Sequence, residues 1–167
     1  MLATPHIITG AAIGRATGKM RLALPLAFLA HFVLDYIPHL DAHGLFGRAG
    51  PGVTPMEAIG ASADAALGLT LVLWATRRQP LRPVMLWAAF FGVVLDLLDN
   101  VPPFTGLFRG WSGTLWLSAF HHAHQHNVPI PSWPLGFATQ LVVVLIGIWY
   151  LRRDAVRSPR QEDQSVL

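Results

Sequence analysis

The chain has 167 residues, 53% of them hydrophobic, 13% charged and none of them cysteine. Its charged fraction lies well below the ~25% of an ordinary soluble domain, which excludes a disordered chain and a typical water-soluble one. The lack of cysteine excludes disulfides, thiolate metal centres and cysteine nucleophiles, so any metal must be held by histidine, carboxylate or amide groups.

A pI near 10.2 raises the question of nucleic acid. The positions of the cations answer it: Arg15, Lys19 and Arg21 precede one long apolar stretch, Arg77, Arg78 and Arg82 separate two more, and Arg152, Arg153, Arg157 and Arg160 follow the last. These are loop and tail charges of a membrane protein, all on one side if each stretch crosses a bilayer, and the positive-inside rule makes that side cytoplasmic. Only Arg48 and Arg109 fall opposite. No nucleic-acid partner is expected.

In chain order, Met1 to Gly18 is rich in small residues and shorter than a standard span. Two readings stay open, a cytoplasmic interfacial helix or, preferred, a short helix crossing from outside to inside and packed closely through Gly10, Ala11, Ala12 and Gly14. Its cations follow the apolar run and no small-x-small cleavage site comes after it, so it is not a signal peptide. Leu22 to Ile37 is apolar except for His31 and Asp35, and Pro38 ends or bends it at the surface. Leu40 to Pro55 reads as an outer loop, with Asp41 and His43 folding back over whatever His31 and Asp35 form. Met56 to Thr76 holds Glu57, a first-turn acid complementing the helix dipole, and Asp64.

Leu81 to Leu98 is interrupted by Arg82 and Asp96, Asn100 to Ser112 reads as a second outer loop, and Trp111 to His126 reads as an amphipathic or re-entrant outer helix carrying HHAHQH. Pro134 to Leu151 has no charge; its Gln140 suits a helix-to-helix hydrogen bond. Aromatic residues fit an interfacial belt, with Trp74, Trp149 and Tyr150 on the inner side and Tyr36, Trp111 and Trp133 on the outer. The expected fold is therefore all-α: four long transmembrane helices, a short N-terminal helix and an outer histidine-rich helix, forming one membrane domain over residues 1–153 with a polar cytoplasmic tail over 154–167.

An ionisable group at membrane depth costs about 2.5 to 3.5 kcal/mol on insertion scales and is a functional candidate by default. His31, Asp64, Asp96 and Gln140 fall in one layer of the outer half, each from a different span. His31 and Asp35, Asp35 and His39, and His122 and His126 are four apart, and Asp96 and Asp99 three apart, so each pair shares a helix face where two ligands can grip one ion. Each residue has a plainer reading as well: Asp64 or Asp96 as an interhelical hydrogen bond, HHAHQH as a solvated face. Charge favours the metal. Asp35, Asp64, Asp96 and Asp99 cannot all stay ionised in low dielectric without a cation or protons, and a His/Asp donor set without thiolate puts zinc first, manganese or iron behind it.

TPHIITGAAIG, LAHFVLDYIPHLD, GVVLDLLDNVP and FHHAHQH resemble a family of small bacterial integral membrane proteins grouped with membrane-bound metal-dependent hydrolases, and more distantly are similar to the zinc-dependent phospholipase C superfamily with its helical His-x-x-x-Asp motif. The resemblance covers Thr4 to about Leu151. It implies His6, His31, Asp35 and His39 as ligands, Asp96 or Asp99 as the acid of the third span, and His121, His122 and His126 from the last cluster. The chain lacks the His-Arg-Gly-x-Thr-His-Ser signature of the better-known inner-membrane hydrolases.

The resulting expectation is an inner-membrane, multi-pass protein with a zinc-type hydrolytic site opening to the extracytoplasmic side, with Asp64 or Asp99 as proton acceptor and a lipid phosphoester or other envelope amphiphile as substrate. Rivals are a metal-ion or proton transporter, which needs titratable groups continuing through the inner halves of the spans where none is seen, and an assembly factor whose polar layer only joins helices.

Overall fold

The computed structural model describes residues 1–41, 45, 54–128 and 132–153. His43, Arg48 and the tail over 154–167 lie outside these. Among the described residues the chain is all-helical: α1 (Ala3–Thr17), α2 (Met20–Asp35), α3 (Pro55–Thr76), α4 (Arg82–Asn100), α5 (Phe104–Gly110), α6 (Ser112–His124) and α7 (Trp133–Arg152).

Three helices, not four, are long and apolar enough to cross a membrane: α3, α4 and α7. Only 17 to 33% of the residues in their apolar windows are buried within the protein, so the apolar surface points outward, as it does in lipid and not in water. The expected first span falls short because α2 has 16 residues, about 24 Å at 1.5 Å per residue against a ~30 Å hydrocarbon core. It cannot extend further, since Pro38 disfavours helical geometry in the residue before it. Its faces are nevertheless sharply divided. Leu22, Leu26, Leu29 and Val33 are exposed, while Ala23, Ala27, His31 and Asp35 form one buried ridge at four-residue spacing.

The N-terminal segment forms α1, the hub of the fold. It packs against α2, α3, α4 and α7 and buries Ile7, Ile8 and Ala11 in a core with Val72, Met85, Ala89 and Leu151. The crossing with α4 is so tight that a Cβ at Gly10 would lie 2.3 Å from the Ala88 carbonyl oxygen, and one at Gly92 would lie 2.5 Å from that of His6. Glycine at both positions lets two backbones touch. Gly18 ends α1 in the left-handed conformation (φ 62°), returning its N–H to the Gly14 carbonyl at 3.0 Å.

The bundle has two unlike ends. At one, the C-termini of α3 and α7 and the start of α4 gather Arg77, Arg78, Arg82 and Arg152; Arg15 donates to the backbone carbonyls of Tyr150 and Arg153, capping α7. At the other, the start of α1 meets the ends of α2 and α4 and the start of α7. There Gln140 accepts the Leu2 N–H and Asp64 the Thr4 N–H, each at 3.0 Å, so two free amides of α1 are satisfied by other helices. Thr54 and Glu57 form a reciprocal cap on α3, the first-turn role expected of Glu57.

The stretch after α4 departs from expectation. Instead of a loop over Asn100 to Ser112 it contains α5, and the outer helix is shorter than Trp111 to His126, since the backbone turns extended at Gln125.

Candidate metal centre

Four helices bring histidines and carboxylates together at this second end. His31 and Asp35 lie one turn apart on α2, Asp96 and Asp99 on α4, His121 and His122 on α6, and His6 on α1. The ends of α2 and α6 are tied by backbone hydrogen bonds: His126 N–H to the Asp35 carbonyl at 2.8 Å, His39 N–H to the His126 carbonyl at 3.1 Å and Val128 N–H to the His39 carbonyl at 2.9 Å.

Three ligand atoms converge without exposure to solvent. His31 Nε2 lies 3.1 Å from His121 Nε2 and 3.2 Å from Asp35 Oδ2, and His121 Nε2 lies 3.3 Å from the same oxygen. A tetrahedral ion with bonds of 2.0 to 2.1 Å needs its donor atoms about 3.3 Å apart. Asp96 Oδ1 stands a little farther off, 3.8 Å from His31 Nε2 and 3.6 Å from His121 Nε2, and its side chain is 22% exposed, marking the open side of the cluster.

Hydrogen bonding fixes what these atoms offer. His31 Nδ1 donates to the Gly92 carbonyl at 2.9 Å and His121 Nδ1 to Asp99 Oδ2 at 2.9 Å, so in each neutral ring Nε2 is a lone pair aimed at the other. Asp35 Oδ2 is buried without a hydrogen bond among the described residues. Lone pairs facing one another at such distances repel unless a cation or proton stands among them. An outer bond from the far nitrogen to a carbonyl or carboxylate is also how metal-binding histidines are oriented. Gln125 brings its amide to 3.2 Å of His121 Nε2, and turned end for end it presents oxygen there instead.

Burial works to lower the basicity of His121, but Asp35, Asp96 and Asp99 outweigh it and raise its pKa. At His122 burial dominates and lowers the pKa, with the charges of His121 and Arg109 acting against the pull of Asp99.

Two further three-residue groups have the spacing for an ion, His6 with His31 and Asp96, and Asp99 with His121 and His122. The His6 ring stacks on His31 with centroids 4.1 Å apart, and its Nε2 lies 3.2 Å from Asp35 Oδ1, beside the buried triad. The Asp99 group already contains a cation. Arg109 Nε donates to Asp99 Oδ1 at 2.8 Å and Nη2 to His122 Nε2 at 2.9 Å, while Ser118 donates to Asp99 at 2.7 Å. His122 is thus an acceptor for Arg109, and Asp99 is occupied on both oxygens.

The remaining expected residues go elsewhere. Asp64 accepts from the Thr4 N–H, capping α1, and belongs to none of the ion-binding groups. His39 lies beyond the end of α2, so the helical spacing with Asp35 does not hold. It is buried, with Nδ1 donating to the Ile37 carbonyl at 2.7 Å and Nε2 unpartnered among the described residues; burial lowers its pKa, and it joins none of the groups. His126 follows the end of α6, its side chain is exposed, and only its backbone serves the site. Sequence reasoning missed Arg109 as partner of Asp99, Ser118, Gln125, and the Met1 ammonium group 2.6 Å from Asp35 Oδ1. Arg109 and Met1 have no spacing signal, because they reach the site through a turn and a chain end; Ser118 and Gln125 lie three and four residues from His121, a spacing that could have flagged them.

The chain thus carries buried His/Asp groups able to hold a metal ion within a bundle of membrane-like helices. Comparison with protein-family models, curated proteins and solved structures finds no match to it.

Proposed function

We propose that the protein is a membrane-embedded, metal-dependent hydrolase in which His31, Asp35 and His121 hold a divalent cation, zinc before manganese or iron, and Asp96 accepts the proton of the attacking water. The reading rests on the meeting of His31 Nε2, His121 Nε2 and Asp35 Oδ2 at 3.1 to 3.3 Å, with a fourth direction left open beside Asp96. Three protein ligands and one free position are the usual form of a catalytic zinc site. The likeness of LAHFVLDYIPHLD and FHHAHQH to metal-dependent membrane hydrolases supports the same reading.

When bound, such a cation polarises a phosphoryl or acyl oxygen and lowers the pKa of a water towards 7. Asp96 is placed to take the proton as the water oxygen bonds to phosphorus or carbonyl carbon, and to return it to the departing alcohol. The bonds of Asp99 to Arg109, Ser118 and His121 favour Asp96 over it for that task and suit Asp99 to positioning the His121 ring. A lipid phosphoester or another envelope amphiphile is the substrate class, since exposed Phe104, Leu107, Trp111, Leu115 and Trp116 on α5 and α6 surround the cluster end with membrane-interface side chains. The basic residues at the opposite end support insertion in a bacterial inner membrane with the cluster outside.

The test is hydrolysis of bis(p-nitrophenyl) phosphate and of phosphatidylglycerol vesicles by the detergent-purified protein, with metal content measured alongside. Asp96→Asn keeps its metal and loses about 10²-fold or more in turnover, the usual scale of an acid–base group. Full turnover in that variant removes Asp96 from the mechanism. Zinc flux into liposomes that depends on the triad, without hydrolysis, replaces the reading with ion handling.

A further inference from the structure

The end of the bundle opposite the cluster contains a cleft of about 300 Å³ lined by Trp74, Ala75, Arg77, Arg78, Gln79, Pro80 and Arg152. It lies where α3 and α7 end and just before α4 begins, at the level where three membrane-length helices leave the apolar layer. Arg77, Arg78 and Arg152 are exposed, and among the described residues none is paired with a carboxylate. The described acids, Asp35, Asp41, Glu57, Asp64, Asp96 and Asp99, belong to elements of the other end.

The cleft is shaped as well as charged. The Arg152 guanidinium lies over the Trp74 ring, 4.1 Å from its centre, and Gln79 is fixed by donating to the Leu151 carbonyl at 2.9 Å. A guanidinium presents paired N–H groups that match phosphate oxygens, and two more arginines on the adjoining turn supply compensating charge. Trp74 borders the cleft on the membrane side, where its amphipathic ring suits the boundary between acyl chain and headgroup.

We propose that this cleft binds the phosphate of an anionic membrane lipid. Clustered basic residues next to membrane helices attract anionic lipids, and this cluster adds a cavity of headgroup size. The proposal is independent of the hydrolase reading, since it uses none of the same residues.

Native mass spectrometry of the full chain in detergent, titrated with phosphatidylglycerol or phosphatidylcholine, tests it. The unaltered protein retains phosphatidylglycerol at least tenfold more tightly; Arg77→Gln/Arg78→Gln/Arg152→Gln brings the two lipids to parity. Lys19→Gln/Arg21→Gln, which removes two exposed cations of the same end outside the cleft, leaves the preference intact. Absence of preference in the unaltered protein overturns the proposal, as does an equal loss in the Lys19/Arg21 variant, which assigns the effect to general surface charge. If the triple variant does not fold, Arg78→Gln alone lowers the preference about threefold, and an unchanged preference there is equally decisive against the cleft. Excess inorganic phosphate that displaces the lipid identifies free phosphate as a competent occupant; failure to displace it identifies the lipid headgroup. Either result keeps the phosphate chemistry and names its source.

Discussion

The Gly92 carbonyl accepts the Nδ1 proton of His31 at 2.9 Å, at the point where the missing side chain of Gly92 lets the His6 carbonyl of α1 press against α4. One residue therefore serves both the close α1–α4 crossing, which it shares with Gly10, and the direction of a ligand lone pair. Packing and chemistry are coupled there, because a shift of α4 away from α1 also turns the His31 ring.

Gly92→Ala is expected to cost about 1 to 3 kcal/mol from forced separation of the helices. It also weakens metal binding, although no ligand is changed. Thermal unfolding in detergent with and without added zinc separates the two effects: the zinc-dependent rise in Tm shrinks along with the basal Tm.

His121→Ala and Asp35→Ala abolish stoichiometric metal, measured by elemental analysis of purified protein. Asp64→Ala leaves it in place and lowers stability by about 1 kcal/mol, the usual worth of a helix N-terminal cap. Metal loss in the Asp64 variant with retention in the His121 variant reverses the ligand assignment.

Asp99→Asn keeps the shape of the contact with His121 while removing the charge that orients its ring. A loss of 10 to 100-fold in zinc affinity is the expected scale for such a partner. Competition with a chromophoric chelator measures it, and an unchanged affinity shows that Asp99 does not act through His121.

Metal binding competes with protons, since His31 and His121 must each offer an unprotonated Nε2. The pKa of His121 is raised, because Asp35, Asp96 and Asp99 overcome its burial. The sign follows: the proton wins as pH falls below that raised value, so zinc affinity drops on acidification, and proton release accompanies binding above the ordinary histidine range. Isothermal titration in two buffers of different ionisation enthalpy reads the release directly.

The His31–Asp35 pair is legible because both residues fall on the inward ridge that begins with Ala23 and Ala27, where helical spacing alone fixes direction. His121 is harder to choose from HHAHQH. The spacing of His122 and His126 favours them over it, but the backbone leaves the helix before His126, and the face of α6 that meets α2 is the one carrying His121 and Ser118. The role of Asp99 depends on Arg109, which α5 folds back onto the end of α4, and no periodicity in the sequence marks that turn. Of the expected spans, α3, α4 and α7 are visible as long, predominantly apolar runs, whereas the end of α2 is set by Pro38 and by the backbone ties to the chain beyond α6.

Those ties have a consequence for which ions the cluster accepts. Asp35 and His121 approach from segments joined by three bridge-like backbone bonds of 2.8 to 3.1 Å, so neither wall can retreat without breaking the other's attachment. Calcium takes six to eight oxygens at 2.3 to 2.6 Å and would demand a wider, softer cage. Rigidity of the scaffold, added to the nitrogen donors, thus disfavours calcium and other hard cations at any ion site the cluster forms.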